Sequence, residues 1–159
     1  MTTAAVVLAA LAYGIGSALI PVLNAEAYVA ATALLLDGMD VVWVVVALSV
    51  GTVVGKVVLF QAARAGRDLS RRRPPREPRT GRLARGVQRV AAVLIGWLDD
   101  PIRAVVTVLA ASFVGIPPLL AVAVLAGASK MRVVVFAVSV LVGRAGRFVL
   151  IAGAAHGLV

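Results

Sequence analysis

The sequence predicts an all-α integral membrane protein, an inverted repeat of two re-entrant helical hairpins that are each followed by a membrane-spanning helix. The first observation is composition, because 62% of the 159 residues are hydrophobic, 14% are charged and the mean hydropathy is +1.03. A soluble domain is about one quarter charged, so a water-exposed surface of this composition is excluded. The other two observations are a pair of long apolar runs and a similar order of features in the two halves.

The two long apolar runs are residues 41–63 and 130–155. A helix needs about 20 apolar residues to cross the hydrocarbon core of a bilayer, so both runs are predicted to span it. The apolar stretches before them are interrupted by proline and leave pieces too short to cross. Residues 4–36 and 101–128 are therefore predicted to enter the membrane and return as re-entrant hairpins. The residues that break the hairpins are Pro21, Pro117 and Pro118.

The positive charge is concentrated in one hydrophilic segment. Ten of the sixteen basic residues lie within residues 64–89, which carry +8 of the net charge of +9. A basic loop between apolar helices is typical of the cytoplasmic face of a membrane protein, and this localisation argues against a nucleic-acid partner. With the bias towards Ala, Val, Arg and Gly, we expect a multi-pass protein of a bacterial cytoplasmic (inner) membrane. Residues 64–82 are predicted to form a cytoplasmic loop, and residues 83–98 an amphipathic helix at the interface.

The two halves of the sequence contain similar proline and glycine motifs in the same order. The stretch "IPVL" at 20–23 corresponds to "IPPL" at 116–119, and "GTVVGK" at 51–56 corresponds to "GRAGR" at 143–147. Inverted repeats with interrupted segments at matching positions are typical of secondary transporters. Chance similarity between alanine- and valine-rich segments is the alternative. Irregular backbone at membrane depth must be buried in protein or line a wet cavity, so the two hairpin tips are expected to meet around such a cavity.

One acid and several bases lie within apolar segments. A carboxylate such as that of Glu26 costs roughly 2.5–3.5 kcal/mol at the bilayer centre, so it usually has a partner or a proton-linked role. Arg144 and Arg147 are three residues apart and share a helix face, where they can hold a phosphate through forked hydrogen bonds. The alternatives are that Glu26 only caps a helix at the membrane surface and that the cations extend to the interface. The predicted substrate- and proton-coupling residues are Glu26, Asn24, Lys56, Arg144 and Arg147.

The sequence offers no recognisable catalytic or metal-binding pattern. It contains no cysteine, and its single histidine, His156, has no second ligand beside it. We therefore expect no enzyme, no cofactor and no metal site. Glycines are assigned to helix packing, because a residue without a side chain lets two helices approach closely. These glycines are Gly51, Gly55, Gly127 and Gly143.

Several stretches together resemble the DedA superfamily, also called the VTT-domain or SNARE-associated membrane proteins, and are closest to its YqaA-like branch. "LIPVLNAEAYVAATALL" contains a proline hairpin that ends in an acid, and "GTVVGKVVLFQAARAG" contains a Gly-xxx-Gly helix. "ASFVGIPPLLAVAVLAGASKMRVVVFAVSVLVGRAGRF" contains the second proline hairpin, an "AG-xxx-M" turn and a Gly-Arg-xx-Arg helix. The resemblance covers nearly the whole chain outside the basic loop and the start of the amphipathic segment.

The resemblance implies two opposed re-entrant hairpins and the movement of lipids across the bilayer. In bacterial members this means recycling of polyprenyl-phosphate carriers linked to the proton gradient, and in eukaryotic members it means phospholipid scrambling. The chain departs from the family in the second hairpin, where many members carry Arg-x-x-Pro-x-x-Arg and this chain reads "SFVGIPPLLA". Lys56, Arg144 and Arg147 are then the cations available to an anionic substrate.

Three functions follow from these observations. The first is a translocator that flips or scrambles a lipid or lipid-phosphate, with anionic headgroups as its membrane partners and Glu26 as a candidate for proton coupling. The second is a proton- or cation-coupled transporter of a small soluble solute, which predicts an enclosed pocket rather than a groove open to the lipid. The third is a non-transporting membrane factor with a basic recruitment loop. Sequence alone determines neither the substrate, the direction, the coupling ion nor the oligomeric state.

Overall fold

A computed structural model describes residues 3–20, 23–36, 38–71, 82–155 and 157. The predicted break at Pro21, the isolated His156 and residues 72–81 of the predicted basic loop lie outside these residues. Within the described part, the structure has seven α-helices and no strand, as an all-α prediction requires. The helices are α1 (Thr3–Leu19), α2 (Ala25–Leu35), α3 (Met39–Arg71), α4 (Arg82–Asp99), α5 (Pro101–Phe113), α6 (Leu119–Ala128) and α7 (Val133–Ala155).

Two of the described helices are long and apolar enough to cross a membrane. They are the 31-residue stretch Met39–Leu69 of α3 and the 23 residues of α7. Both lie where the sequence predicts spanning helices. The apolar helices α1, α2, α5 and α6 have only 10 to 17 residues in this part of the chain. The coarser prediction, a helical protein with two helices of membrane-spanning length, is confirmed.

The helix α3 extends beyond the predicted spanning segment. The predicted loop starts at residue 64, whereas α3 is helical through Arg71. Its last turns are rich in alanine and arginine, which are good helix formers. In addition, Arg64 donates a hydrogen bond to the carbonyl of Met131 at 2.6 Å, and Arg67 donates to the carbonyl of Ala128. These guanidinium groups have partners on a neighbouring element, so their charge does not end the helix.

The helices α1 and α3 run parallel and in close contact. Gly14 lies against Gly51, and one turn later Ala18 lies against Gly55. A β-carbon on Gly51 would come within 3.1 Å of the Gly14 α-carbon, and one on Gly55 within 2.5 Å of the Ala18 β-carbon. The backbones therefore approach as closely as the absence of a side chain permits.

The helices α5 and α7 form a second parallel pair. The side chain of Ser112 occupies the space beside Gly143, and the ring of Phe113 lies beside Gly146. The hydroxyl of Ser112 donates to the carbonyl of Val108 at 2.7 Å, so this polar side chain has a partner inside the packed interface.

The remaining short helices pack against the long helix of the other half. Val29 and Ala33 of α2 are buried with Phe148 and Ala152 of α7. Likewise, α6 packs against α3, where Gly127 faces the backbone at residue 60. Each long helix therefore contacts both helix pairs, α1–α2 and α5–α6.

The turns of both helix pairs lie about halfway along the long helices. The end of α1 contacts Lys56, the eighteenth of the 33 residues of α3. The end of α5 contacts Arg147, the fifteenth of the 23 residues of α7. In the second turn, Pro117 and Pro118 lie directly before α6, and Gly115 has a φ of +90°, a conformation that favours glycine. Both turns therefore lie beside the middle part of the long helices rather than at their ends.

The outer faces of the long helices carry large apolar side chains. Between Val42 and Val58 of α3, six such side chains are between 40% and 53% exposed, and they include the indole of Trp43. Such continuous apolar surface is rare on a soluble monomer and marks contact with a membrane or a partner. The exposed apolar residues on these faces are Val42, Trp43, Val46, Val50, Val54 and Val58 on α3, and Val134, Val138, Val142 and Val149 on α7.

We expect Gly51→Ala to lower the free energy of unfolding by about 1–3 kcal/mol, since the added methyl group must displace the α1 backbone. Gly66→Ala on the same helix is the matched control, because nothing lies within 4 Å of its added β-carbon. That control should leave stability unchanged or raise it by up to about 1 kcal/mol through helix propensity. Thermal unfolding of both variants in detergent tests this packing, and equal unfolding temperatures would contradict it.

Candidate functional site

The start of α2 is fixed by a side-chain cap and by a pair of stacked rings. The side-chain oxygen of Asn24 accepts hydrogen bonds from the backbone N–H groups of Glu26 at 2.9 Å and Ala27 at 3.4 Å. The rings of Tyr13 and Tyr28 stack with their centroids 4.5 Å apart, which joins α1 to α2. Asn24 is therefore the N-cap of α2, and its side chain is committed to the backbone. Glu26 lies in the first turn, where the helix dipole favours a negative charge.

Glu26 and Arg147 form the central ion pair of the site. The carboxylate oxygen of Glu26 is 2.8 Å from Arg147 Nη2, and the side chains are 35% and 25% exposed. The other terminal nitrogen of Arg147, Nη1, donates to the carbonyl of Phe113 at 2.8 Å, at the end of α5. A single guanidinium group on α7 thereby connects the tip of the α1–α2 pair to the tip of the α5–α6 pair.

Arg144 lies one turn earlier on the same face of α7 but is bonded differently. Its Nη1 is 3.9 Å from the Glu26 carboxylate, which is an ion pair beyond hydrogen-bond distance. Its Nε is buried and has no hydrogen-bond partner among the described residues. The guanidinium group lies 5.6 Å from the centroid of the Phe148 ring, within the range of a cation–π contact.

The structure places Lys56 apart from the ion pair. Lys56 is 4% exposed, and its ammonium group donates to the carbonyl of Ala18 at 2.7 Å. A cation near the last carbonyls of a helix interacts favourably with the helix dipole, and Arg147 does the same at the end of α5. Lys56 therefore caps α1, and the described residues show no ion pair between it and Glu26.

A cavity of about 330 Å³ opens beside the ion pair. The first turn of α6, which forms part of its wall, has no side-chain cap. The cavity is polar and is lined by Glu26, Ala111, Ser112, Val114, Gly115, Leu119, Arg144 and Arg147. Both arginines of the predicted site and its acid therefore line one space between the two helix pairs.

The charges around this cavity do not balance. Two half-buried cations, Arg144 and Arg147, line the cavity, while Glu26 is the carboxylate that the described residues place within ion-pair distance of both. Buried charges are costly unless paired, so the surplus positive charge favours an anion in the cavity. The arrangement can bind an oxyanion through charge-assisted hydrogen bonds.

Two arginines with structural contacts, Arg64 and Arg67, are not predicted from the sequence. Arg64 and Arg67 hold the turn between α6 and α7, and Arg64 also lies 4.6 Å from the centroid of the Phe60 ring. Sequence reasoning assigns both to a loop, because the high charge of residues 64–89 dominates the pattern. Their spacing of three residues directly after an apolar helix is the signal that could have indicated one more helical turn.

A second, larger cavity lies between the two long helices and is almost entirely apolar. Its volume is about 800 Å³, and α3 and α7 line it through residues such as Val46 and Val149. The polar cavity and this apolar groove use different faces of α7. The molecule thus offers a charged space at the helix-pair tips and a hydrocarbon-like groove on one side.

Comparison of the chain with protein-family models, curated proteins and solved structures finds no match.

A double-mutant cycle is expected to show stronger coupling of Glu26 to Arg147 than to Arg144. The glutamine variants Glu26→Gln, Arg144→Gln and Arg147→Gln remove one charge each while keeping a similar size. The 2.8 Å contact predicts a coupling energy of about 0.5–3 kcal/mol, and the 3.9 Å contact predicts less. Thermal unfolding in detergent measures both cycles. Equal coupling energies would show that the two arginines are bound to Glu26 alike.

Proposed function

We propose that this protein moves an anionic lipid or lipid-phosphate across a bilayer, by flipping or scrambling it past the cavity at Glu26, Arg144 and Arg147. The observation that carries this proposal is the surplus positive charge beside a polar cavity, roughly midway along α7. An anionic headgroup would neutralise this charge. Its acyl chains would remain in contact with the apolar outer surface of the helices.

The proposed setting is a membrane with two re-entrant hairpins, α1–α2 and α5–α6, that enter from opposite faces. Two helices of spanning length and the exposed apolar side chains on them support this setting. The position of both turns near the middle of α3 and α7 supports hairpins that end inside the bilayer. Backbone at that depth is tolerated where it lines a polar cavity, which agrees with the cavity beside Gly115.

An inverted repeat would explain why the second short helix of each half packs on the long helix of the other half. Each first helix, α1 or α5, packs in parallel on the long helix of its own half, while α2 and α6 pack on the long helix of the other half. Lys56 and Arg147 also bind equivalent carbonyls, at the ends of α1 and α5. These features support a proposal of membership of the DedA superfamily, whose implied activity agrees with the proposed function.

We propose a bacterial cytoplasmic membrane as the location, with residues 64–89 on the cytoplasmic side. Basic residues of the described part collect at the end of the molecule where α3 ends and α7 begins, which the positive-inside rule assigns to the cytoplasm. The α5–α6 pair would then enter from the cytoplasm and the α1–α2 pair from the opposite side. The basic residues at this end are Arg64, Arg67, Lys130 and Arg132.

The proton-linked part of the proposal concerns Glu26. Protonation of this carboxylate would remove the negative partner of Arg147 and leave the cavity more positive. An anion could then enter the cavity beside the two arginines, and its release would restore the ion pair. This exchange couples one proton to one anionic headgroup through a residue that is 35% exposed and therefore reachable from the cavity.

A second candidate is a transporter of a small soluble anion coupled to a proton or cation. It is favoured by the cavity volume of about 330 Å³, which suits a small ligand enclosed between the helix pairs. The surplus positive charge at the cavity can bind a free anion as well as an anionic lipid headgroup. The two candidates differ in whether the transported species carries acyl chains.

Translocation in reconstituted vesicles tests the leading proposal. Wild-type protein should accelerate exchange of fluorescently labelled phosphatidylglycerol between leaflets, measured by chemical quenching of the outer leaflet. The double variant Glu26→Gln/Arg147→Ala should lower the rate at least about tenfold, the change expected when a charged hydrogen bond is lost. Arg103→Gln, an exposed arginine of α5, is the control. Equal rates for the wild type and the double variant would contradict the proposal.

Uptake of radiolabelled inorganic phosphate into the same vesicles, with and without an imposed pH gradient, separates the two candidates. A lipid translocator should give no gradient-dependent uptake while exchanging the labelled lipid. Gradient-driven uptake without lipid exchange would instead establish the soluble-anion transporter.

A further inference from the structure

The two arginines of the site differ in how their donors are used. The terminal nitrogens of Arg147 are both engaged, one with Glu26 at 2.8 Å and one with the Phe113 carbonyl at 2.8 Å. These partners belong to α2 and α5, so the guanidinium group is held between two elements. Two of its N–H donors are used in these contacts, so α2 and α5 fix the position of the guanidinium group in the ligand-free protein.

Arg144 has unused donors in the same cavity. Its nearest carboxylate oxygen, on Glu26, is 3.9 Å away, and its Nε is buried without a hydrogen-bond partner among the described residues. Its side chain is 18% exposed and lines the cavity, so water cannot fully solvate it there. The guanidinium carbon lies 5.6 Å from the centroid of the Phe148 ring. Because the Nε is fully buried, the donors that a ligand in the cavity can reach are the terminal nitrogens of Arg144, which have no hydrogen bond among the described residues. A ligand oxygen bonded to them would pair a charge that is otherwise costly to bury.

We propose that Arg144 binds the phosphate oxygens of the anionic ligand directly and that Arg147 is a positioning residue that joins the two helix-pair tips. This inference depends on the proposed function, because it assigns roles within the same anion site. The ligand chemistry is a phosphate group, since a guanidinium fork matches two phosphate oxygens. A lipid headgroup and free phosphate share this chemistry.

The two roles predict opposite effects of neutralising the arginines. Arg144→Gln removes the ligand contact together with an unsatisfied charge, so the ligand-free protein should be as stable as the wild type or more stable. Arg147→Gln leaves Glu26 and the Phe113 carbonyl without their shared donor, so the ligand-free protein should unfold at a lower temperature. Arg144→Lys keeps the charge without the fork and should bind phosphate with intermediate affinity.

The experiment measures thermal unfolding of the purified full chain in uncharged detergent, alone and with increasing probe. The probes are phosphatidylglycerol, which is a lipid with a phosphate, diacylglycerol, which is a lipid without one, and sodium phosphate. Wild-type protein should be stabilised by phosphatidylglycerol and not by diacylglycerol. Arg144→Gln should weaken the apparent affinity at least about tenfold with no loss of ligand-free stability, whereas Arg147→Gln should unfold about 2–8 °C lower without ligand. Arg103→Gln should match the wild type in both measurements.

The outcomes separate this inference from the proposed function. If wild-type protein binds phosphatidylglycerol and Arg144→Gln binds it equally well, the assigned role of Arg144 is overturned while the function stands. If Arg144→Gln unfolds as early as Arg147→Gln, both arginines hold the fold and the division of roles is overturned. A third outcome is that the wild type binds sodium phosphate and not phosphatidylglycerol, with this binding lost in Arg144→Gln. That result would support the assigned role of Arg144 and would favour transport of a soluble anion over transport of a lipid. Binding of no probe by the wild type overturns both proposals.

Discussion

The side chain of Arg147 is the connection on which the arrangement of the site depends. It bonds to Glu26 at the start of α2 and to the carbonyl of Phe113 at the end of α5, so one group on α7 fixes two separate turns. Because the contacts are to a carboxylate and to a terminal carbonyl, they satisfy polar groups that would otherwise be costly to bury. The cavity exists because these turns are held beside each other without closing the space between them.

Close backbone packing makes this connection possible. Gly51 and Gly55 allow α1 to lie directly on α3, and Gly143 allows α5 to lie directly on α7. The short helices then end about halfway along the long ones, where their last carbonyls require donors. Lys56 on α3 and Arg147 on α7 supply these donors. The cationic character of the centre thus follows from the need to cap two helix ends, and Arg144 adds a charge that no helix end uses.

The sequence identifies Glu26, Arg144 and Arg147 as charged residues within apolar segments. The structure brings these three side chains together. It does not group Asn24 or Lys56 with them, because Asn24 caps α2 and Lys56 caps α1. Each of these capping hydrogen bonds depends on which backbone carbonyl or N–H group lies nearest in space. The spacing of residues along the chain does not give that distance. The same limit explains Arg64 and Arg67, whose carbonyl partners lie more than 60 residues away in the sequence.

The sequence by itself determined the helical class, the two helices of spanning length and the positions of the prolines that separate the short helices, since composition, run length and missing backbone donors are local properties. Only the tertiary structure decided that α2 packs on α7 and α6 on α3, that both terminal nitrogens of Arg147 have partners, and that the Nε of Arg144 has none among the described residues. The physical reason is that hydrogen bonds and ion pairs act over about 3–4 Å. Which groups come that close is set by how the helices pack, and not by the order of residues within any one helix.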